Sequence, residues 1–251
     1  IYLRGIHFIQ VPTTVLSQVD ASVGGKTGIN HEKGKNLIGS FYQPKMVFID
    51  MLTLSTLSCR EIRSGLAEII KYGVIMDKDL FVKIEKDLNR IQSLDINSNL
   101  ELWRHLIMKS CQNKATIVSQ DEKESGIRAI LNFGHTFGHA IELVGKYKEY
   151  NHGEAVALGI LSASKLSQMT ENLSAENVER IQSIFLKAGI RTTTLTEIDA
   201  EDLYSAMQSD KKKEGKELNF IVLEKIGKAK KINGLNKETV LKAIKTSLLP
   251  S

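Results

Sequence analysis

The sequence predicts an α/β portion followed by a larger, multihelical region, and three observations support this fold class. Within the first 50 residues, two short apolar runs flank a helix-compatible segment, which is the strand, helix, strand order of α/β proteins. From Ser58 to about Glu214 the apolar spacing is helical only. The 251 residues are 42% hydrophobic and 25% charged, as expected of a globular protein. We therefore divide the chain into an α/β portion, 1–57, and a helical portion, 58–251.

The α/β portion begins with a predicted strand at 5–11, and Pro12 ends it. Thr13 and Thr14 are placed to cap a short helix, and a second apolar strand follows at 46–50. A unit of this kind indicates α/β organisation.

Two glycine-lysine stretches, VGGKTGIN and HEKGKNLIG, lie between this helix and the second strand and predict tight polar loops. Backbone amides and an ammonium group can meet a single anion in such loops, as they do in phosphate cradles. Neither stretch has the spacing of a P-loop or of GxGxxG. Composition alone therefore indicates phosphate binding only weakly.

The helical portion contains seven segments with the apolar spacing of helices, followed by a strand pair and a closing helix that Asn236 caps. The helices are predicted at 61–76, 78–92, 97–119, 134–146, 153–171, 174–188 and 199–208, the strands at 217–223 and 229–233, and the closing helix at 236–248. The bulk of the chain is thus predicted to be a helical domain.

Charge and cysteine content limit the classes of function. The net charge is +5, and because the lysines are not interleaved with aromatic residues, we expect no nucleic-acid partner but a small anionic substrate. Cys59 and Cys111 have no zinc-site or redox-pair spacing, so a reducing cytoplasm is expected. No apolar run approaches the roughly 18 residues that a membrane span needs, and we expect no membrane association.

The stretch RAILNFGHTFGHAIE places His135 and His139 four residues apart, on one face of the predicted helix. On its own, this pair fits a packed or solvated helix face as well as it fits a functional site. His152 at the next helix start and Glu68 on an earlier helix complete a His, His, carboxylate set, which is typical of catalytic zinc. The alternatives are a histidine beside a helix cap and a surface ion pair between Glu68 and Lys71.

Several cations also belong to predicted helices or loops. Lys114 lies beside an apolar helix stripe, so either its ammonium group extends to solvent or it meets an anionic ligand. Arg128, Lys211 and Lys212 lie in or near predicted loops, where solvation is the default expectation.

Six motifs occur in order from Tyr2 to Gly227: VPTTVLSQVDASVGGKTGIN, GKNLIGSFYQP, GLAEIIKYG, LNFGHTFGHAIE, HGEAVALG and SDKKKEGKELNFIVLEKIG. Together they resemble the dehydroquinate synthases of the shikimate pathway. The resemblance implies a cyclase that converts 3-deoxy-arabino-heptulosonate 7-phosphate into 3-dehydroquinate with catalytic NAD and one Zn²⁺ or Co²⁺. It also implies a homodimer, each chain having a Rossmann-like nucleotide-binding domain, of which 1–57 is the last part, followed by a helical metal-binding domain.

The resemblance also implies roles for individual residues. The metal ligands would be Glu68, His135 and His152, with His139 beside the metal as a proton carrier. The NAD site would comprise Thr13, Thr14, Lys26, Lys35 and the turn Thr53, Leu54, Ser55 and Thr56. The substrate's hydroxyl groups and carboxylate would be held by Asp20, Lys71, Lys114, Arg128 and Asn132. Its phosphate would be held by Asn36, by Lys211 or Lys212, and by Arg4 of the other subunit.

The chain departs from the family pattern at its front, where the glycine-rich nucleotide loop expected before Tyr2 is absent. We therefore expect further sequence upstream, and no NAD binding by this chain alone. Three alternatives remain: a sister sugar-phosphate cyclase, a metal-dependent polyol dehydrogenase of the same superfamily, and a non-catalytic fragment. The resemblance implies that Lys114 and Arg128 help to bind a carboxylate, so this pair favours a substrate that has one.

Overall fold

The structure is a computed structural model that describes the backbone of residues 5–31, 34–194, 198–213 and 218–248; side chains at 30–37 and 210–213 are not described. Five predicted site residues therefore lie outside the described side chains: Arg4, Lys35, Asn36, Lys211 and Lys212.

The α/β portion contains a parallel strand pair, β1 (Ile9–Gln10) with β4 (Met46–Val47). Both strands are shorter than predicted. A π-helical turn, Ser17–Ala21, follows β1 and is capped by Thr14 and Ser17, whose hydroxyl groups each accept a hydrogen bond from the other residue's backbone N–H, at 3.1 and 3.0 Å.

The prediction of two loops in the glycine-lysine stretches is wrong. They form an antiparallel hairpin, β2 (Lys26–His31) and β3 (Gly34–Phe41), in which Ile29 pairs with Ile38. The backbones of the two strands approach each other closely at Gly39, because a Cβ atom added there would lie 1.9 Å from the Thr27 carbonyl oxygen. Gly39 hence serves strand pairing here.

A 3₁₀ helix, Met51–Thr56, leads into the helical portion. Its helices agree closely with the predicted ones, except that the segment predicted at 78–92 is divided at Asp87 and the one at 199–208 is longer. They are α1 (Cys59–Ile75), α2 (Lys78–Lys86), α3 (Leu88–Gln92), α4 (Leu100–Gln120), α5 (His135–Val144), α6 (His152–Glu171), α7 (Ala175–Lys187), α8 (Ala200–Lys213) and α9 (Lys237–Leu248). A second 3₁₀ helix, Ile127–Asn132, precedes α5.

Helix α6 lies at the centre of this portion, because it packs against α1, α5, α7, α9 and the strand β5 (Phe220–Lys225). Its residues from Ala155 to Ser164 are all buried, as expected of a helix covered on every side. Strand β5 pairs with β6 (Lys228–Ile232) in a second antiparallel hairpin. None of the helices in the described part of the chain is both long and apolar enough to cross a membrane.

Candidate functional site

Glu68, His135 and His152, on three different helices, converge on one place. One ligand atom from each lies within 4.8 Å of the other two. The Glu68 carboxylate oxygen Oε1 is 3.7 Å from His135 Nε2 and 3.4 Å from His152 Nε2. The His139 ring is adjacent, with its centroid 5.5 Å from that of His135 and 6.5 Å from that of His152. The structure thus brings together the predicted ligand set and the predicted proton carrier.

Small residues at the helix contacts allow this convergence. A Cβ atom added at Gly153 would lie 2.2 Å from the Ser64 carbonyl oxygen, so α6 begins in direct contact with α1, one turn before Glu68. A Cβ atom added at Gly159 would lie 2.1 Å from the Gly134 carbonyl oxygen, where α5 begins. Both contacts require glycine, and they place His152 and His135 beside Glu68.

The first turn of α6 is also braced. Asn151 and Glu154 form a capping box, in which each side chain accepts a hydrogen bond from the other residue's backbone N–H at 2.9 Å. The Arg60 guanidinium donates two hydrogen bonds to the Glu154 carboxylate, at 2.8 and 2.6 Å. His152, the first residue of the helix, is therefore held in a defined position.

Glu68 is completely buried. Among the described residues, no donor makes a hydrogen bond of acceptable geometry to either of its carboxylate oxygens, although the Lys71 ammonium forms a close ion pair with Oε2. Burial raises the pKa of Glu68, but Lys71 and the two imidazoles outweigh burial and hold that pKa well below its ordinary value. A buried, ionised carboxylate that faces two imidazole nitrogens fits a divalent cation.

The pKa values of His135 and His152 are shifted in opposite directions. Burial lowers the pKa of His135 well below its ordinary value, and the Lys71 charge adds to this effect. Burial also lowers the pKa of His152, but the carboxylates of Glu142 and Glu68 outweigh burial and raise it to about 9. A proton on His152 thus places a positive charge between the buried carboxylates of Glu142 and Glu68. A metal ion beside them would supply a larger positive charge.

A second ionic group adjoins the first. The Lys114 ammonium donates to the Asp20 carboxylate Oδ1 at 2.7 Å and to the Asp20 carbonyl oxygen at 2.6 Å. The Tyr72 hydroxyl donates to the same Oδ1 at 3.1 Å. Burial lowers the pKa of Lys114, whereas the pKa of Asp20 falls because the Lys114 charge outweighs burial. The anion that Lys114 meets in this structure belongs to the protein itself.

Tyr72 is a buried site residue that the sequence analysis did not single out. Burial, together with the charges of Asp20 and Glu68, raises its pKa well above 10. Its position four residues after Glu68 places it on the same face of α1, and this spacing was the available signal.

Arg128 is only 1% exposed, so the expectation that it is solvated is wrong. Its guanidinium donates to the carbonyl oxygens of Gly24, at 3.0 Å, and Glu122. The Asp121 carboxylate accepts the backbone N–H groups of Ser125, Gly126 and Arg128 at 2.7–3.0 Å. Buried cations require such partners, and the loop that precedes α5 is built around this one.

Lys26 and Asn132, predicted for NAD and substrate respectively, are brought together by Glu124. Its carboxylate pairs with the Lys26 ammonium and accepts a hydrogen bond from the Asn132 amide. Because Glu124 lies in an irregular loop, no periodicity marked it as a site residue.

The comparisons with known proteins agree with this geometry. Residues 1–64 match the family model described as 3-dehydroquinate synthase N-terminal, and residues 65–213 match 3-dehydroquinate synthase C-terminal. The chain belongs to the 3-dehydroquinate synthase family. The predicted family and its fold class are therefore confirmed.

Two curated 3-dehydroquinate synthases illustrate the similarity. The protein from Rippkaea orientalis is 50% identical over 229 residues, which are 90% of this chain and 62% of the relative. The protein from Thermoanaerobacter pseudethanolicus is 48% identical over 97% of this chain and 67% of the relative. The chain thus spans a little over three fifths to about two thirds of the length of these 3-dehydroquinate synthases.

Solved structures of similar fold include a 2-deoxy-scyllo-inosose synthase in complex with carbaglucose-6-phosphate, NAD⁺ and Co²⁺. It is 28% identical, with a TM-score of 0.84 over 98% of this chain and 68% of that one. A 2-epi-5-epi-valiolone synthase from Streptomyces hygroscopicus, with NAD⁺ and Zn²⁺ bound, has a TM-score of 0.86 over 98% of this chain and 67% of that one. At 23% identity it shows likeness of fold only.

Apart from Lys26 and Lys35, which belong to the hairpin of β2 and β3, the residues that the family resemblance assigns to NAD lie in two adjacent segments. The buried Gln18 amide joins them, because it donates to the carbonyl oxygens of Pro12 and Asp50, both at 3.2 Å. Thr13, Ser55 and Thr56 are exposed, and Thr14 and Thr53 are partly buried. Leu54 is 1% exposed, with its side chain in the core, so only its backbone is available to a ligand. Sequence reasoning did not identify Gln18.

Proposed function

We propose that this protein is a 3-dehydroquinate synthase, which converts 3-deoxy-D-arabino-heptulosonate 7-phosphate into 3-dehydroquinate and phosphate. The observation that carries the proposal is the convergence of the buried Glu68 with the partly buried His135 and His152, beside the cations Lys71 and Lys114. The 46–50% identity to relatives with this name supports the choice of substrate.

Glu68, His135 and His152 would hold Zn²⁺ or Co²⁺, and Thr13, Thr14, Lys26, Lys35 and 53–56 would contribute to an NAD site. When bound, the metal would supply Lewis-acid polarisation of a substrate hydroxyl group, and NAD would accept and later return a hydride. The solved 2-deoxy-scyllo-inosose synthase contains NAD⁺ and Co²⁺, and this likeness supports the same pair here.

The remaining groups would bind and orient the substrate and carry a proton. Asp20, Lys71, Lys114, Arg128 and Asn132 would hold the carboxylate and hydroxyl groups, and Asp20 would also keep Lys114 in place. Asn36 and either Lys211 or Lys212 would hold the phosphate. His139 would carry the hydroxyl proton, because its ring lies beside both predicted histidine ligands.

The test is turnover of 3-deoxy-D-arabino-heptulosonate 7-phosphate, with phosphate release and 3-dehydroquinate formation measured together. Activity should require NAD and a divalent metal, and Glu68→Gln should abolish it. Glu171→Gln, at the far end of α6, is the matched control and should leave activity unchanged. Steady consumption of the substrate without formation of 3-dehydroquinate would contradict the assignment.

A related cyclase is the second candidate, because the likeness to 2-deoxy-scyllo-inosose synthase extends over 98% of this chain. A substrate that lacks a carboxylate would offer no such group for Lys114 to bind. Measuring turnover of the two substrates in competition therefore distinguishes the two candidates. A polyol dehydrogenase would accumulate NADH with turnover, whereas a cyclase would not. A non-catalytic protein would turn over none of these substrates.

The domain division, the location and the assembly of the protein belong to the same proposal. The division into 1–57 and 58–251 would separate nucleotide binding from metal binding. The protein would be a cytoplasmic homodimer with no nucleic-acid partner, and Arg4 would reach the phosphate bound by the other subunit. Size-exclusion chromatography with light scattering tests the dimer, and Arg4→Ala tests the shared site.

A further inference from the structure

Glu142 lies beside the candidate metal site, on the same helix as the ligand His135 and the predicted proton carrier His139. It follows His135 by seven residues and His139 by three, so all three share one face of α5. Its side chain is only 6% exposed, and its Oε1 atom is 3.6 Å from His152 Nδ1. A carboxylate buried to this degree needs polar or charged neighbours, and the His152 ring is one of them.

His152 directs its two ring nitrogens toward two different carboxylates. Nε2 lies 3.4 Å from Glu68, whereas Nδ1 lies 3.6 Å from Glu142. Because Glu68 belongs to the ligand set with His135, Nε2 is the nitrogen that faces the metal position. Nδ1 is then the nitrogen left to carry the proton, and Glu142 is placed to accept it.

His135 has a comparable arrangement, with its Nδ1 atom 3.3 Å from the Phe133 carbonyl oxygen. Each ligand histidine thus has an oxygen acceptor near its Nδ1 atom. The two rings differ in exposure, because the His135 side chain is 13% exposed and the His152 side chain is 30% exposed. His152 is therefore the ring with more room to rotate, and it is the one that faces a charged acceptor.

We propose that Glu142 is a positioning residue: its carboxylate accepts the Nδ1 proton of His152 and so directs the Nε2 lone pair toward the metal. This inference rests on the metal site of the proposed function. Partners of this kind fix the tautomer and the orientation of ligand histidines, and their loss typically weakens metal affinity by about 10–100-fold.

The experiment measures Zn²⁺ and Co²⁺ affinity of the full chain at one pH, by competition with a chelating dye, for wild type, Glu142→Ala and Glu142→Gln. Glu142→Ala should bind about 10–100-fold more weakly. Glu142→Gln should lose less, because its amide oxygen can still accept the Nδ1 proton. The absorption spectrum of the Co²⁺ protein should change in both variants. Glu171→Gln, which alters the partly exposed pair with Lys230 at 2.7 Å, is the control and should match wild type.

The thermal unfolding of each metal-free variant separates positioning from a merely structural role. Weaker binding and an altered Co²⁺ spectrum in Glu142→Gln, at unchanged unfolding temperature, would support the proposal, even if Glu142→Ala does not fold. The proposal would be overturned if Glu142→Gln had the metal affinity and Co²⁺ spectrum of wild type, or if its loss of affinity were equal to that of Glu171→Gln. If the wild-type chain binds neither ion, the metal site of the proposed function fails as well.

Discussion

At the scale of single residues, Glu68 and Lys71 form a buried ion pair. Both side chains are at most 1% exposed, so neither charge is solvated. Loss of one partner of a buried pair leaves an uncompensated charge, which costs about 3–5 kcal/mol. A surface ion pair is one of the two alternatives that the sequence leaves open for Glu68 and Lys71, and the structure shows that the pair is buried.

Lys71→Met should therefore lower the free energy of unfolding of the metal-free protein by about 3–5 kcal/mol. Zn²⁺ should restore part of this loss, because a cation then faces Glu68 again. Lys83→Met, which removes the partly exposed pair with Asp87 at 2.9 Å, is the control and should cost less than about 1 kcal/mol. Urea unfolding with and without Zn²⁺ measures both variants, and equal losses in the two would contradict the prediction.

Asp121 is the residue whose charge should control acid stability of the loop before α5. Hydrogen bonds from the backbone N–H groups of Arg128, Ser125 and Gly126 lower its pKa from 3.8 to about 2. A pKa lowered by folding stabilises the folded state above about pH 4, and this contribution disappears as the pH falls from about 4 to 2.

Asp121→Asn should accordingly be less stable than wild type at pH 6, and the difference should shrink below pH 4. The measurement is urea unfolding of both proteins between pH 6 and pH 2. A difference that stays constant over this range would show that the Asp121 charge is not responsible.

At the scale of elements, the site depends on how closely α1, α5 and α6 approach. The small residues of HGEAVALG indicate close helix packing, and the structure identifies Ser64 and Gly134 as the partners of Gly153 and Gly159. Helix spacing is thus controlled by two glycines whose Cβ positions are already occupied by backbone atoms. The ligands lie next to these contacts: His152 directly precedes Gly153, His135 directly follows Gly134, and Glu68 lies one turn after Ser64.

Gly153→Ala should separate α6 from α1 and weaken Zn²⁺ binding. Overpacking typically lowers the free energy of unfolding by about 1–3 kcal/mol. We expect this loss of stability in Gly153→Ala although alanine has a higher helix propensity than glycine. Gln168→Ala, on a partly exposed part of α6, is the control and should change stability by less than about 0.5 kcal/mol. Wild-type stability and Zn²⁺ affinity in Gly153→Ala would mean that the helix contact does not position the site.

At the scale of the whole molecule, the α/β portion has an unusual surface. Ile9, Val11, Met46, Phe48 and Leu52 are all 49–68% exposed, on or next to the paired strands β1 and β4. Apolar side chains grouped in this way commonly mark a surface that another segment or protein covers. The Rippkaea orientalis relative also has more than a third of its length outside the match.

We predict that residues 1–251 bind Zn²⁺, because the residues implied for the metal all lie within the chain and converge on one place. Calorimetry with Zn²⁺ measures this binding, and its absence would mean that the metal site has been misplaced.

The sequence by itself determined the helices, the family and the residues of the His, His, carboxylate set, because helix periodicity and motif spacing are local properties of the chain. The tertiary structure alone decided that Glu68, His135 and His152 meet, that Arg128 is buried, and that Tyr72 and Glu142 adjoin the site. It also replaced two predicted loops with one hairpin. These outcomes depend on contacts between segments far apart in the chain, where close packing at Gly153 and Gly159, not sequence spacing, sets which side chains face each other.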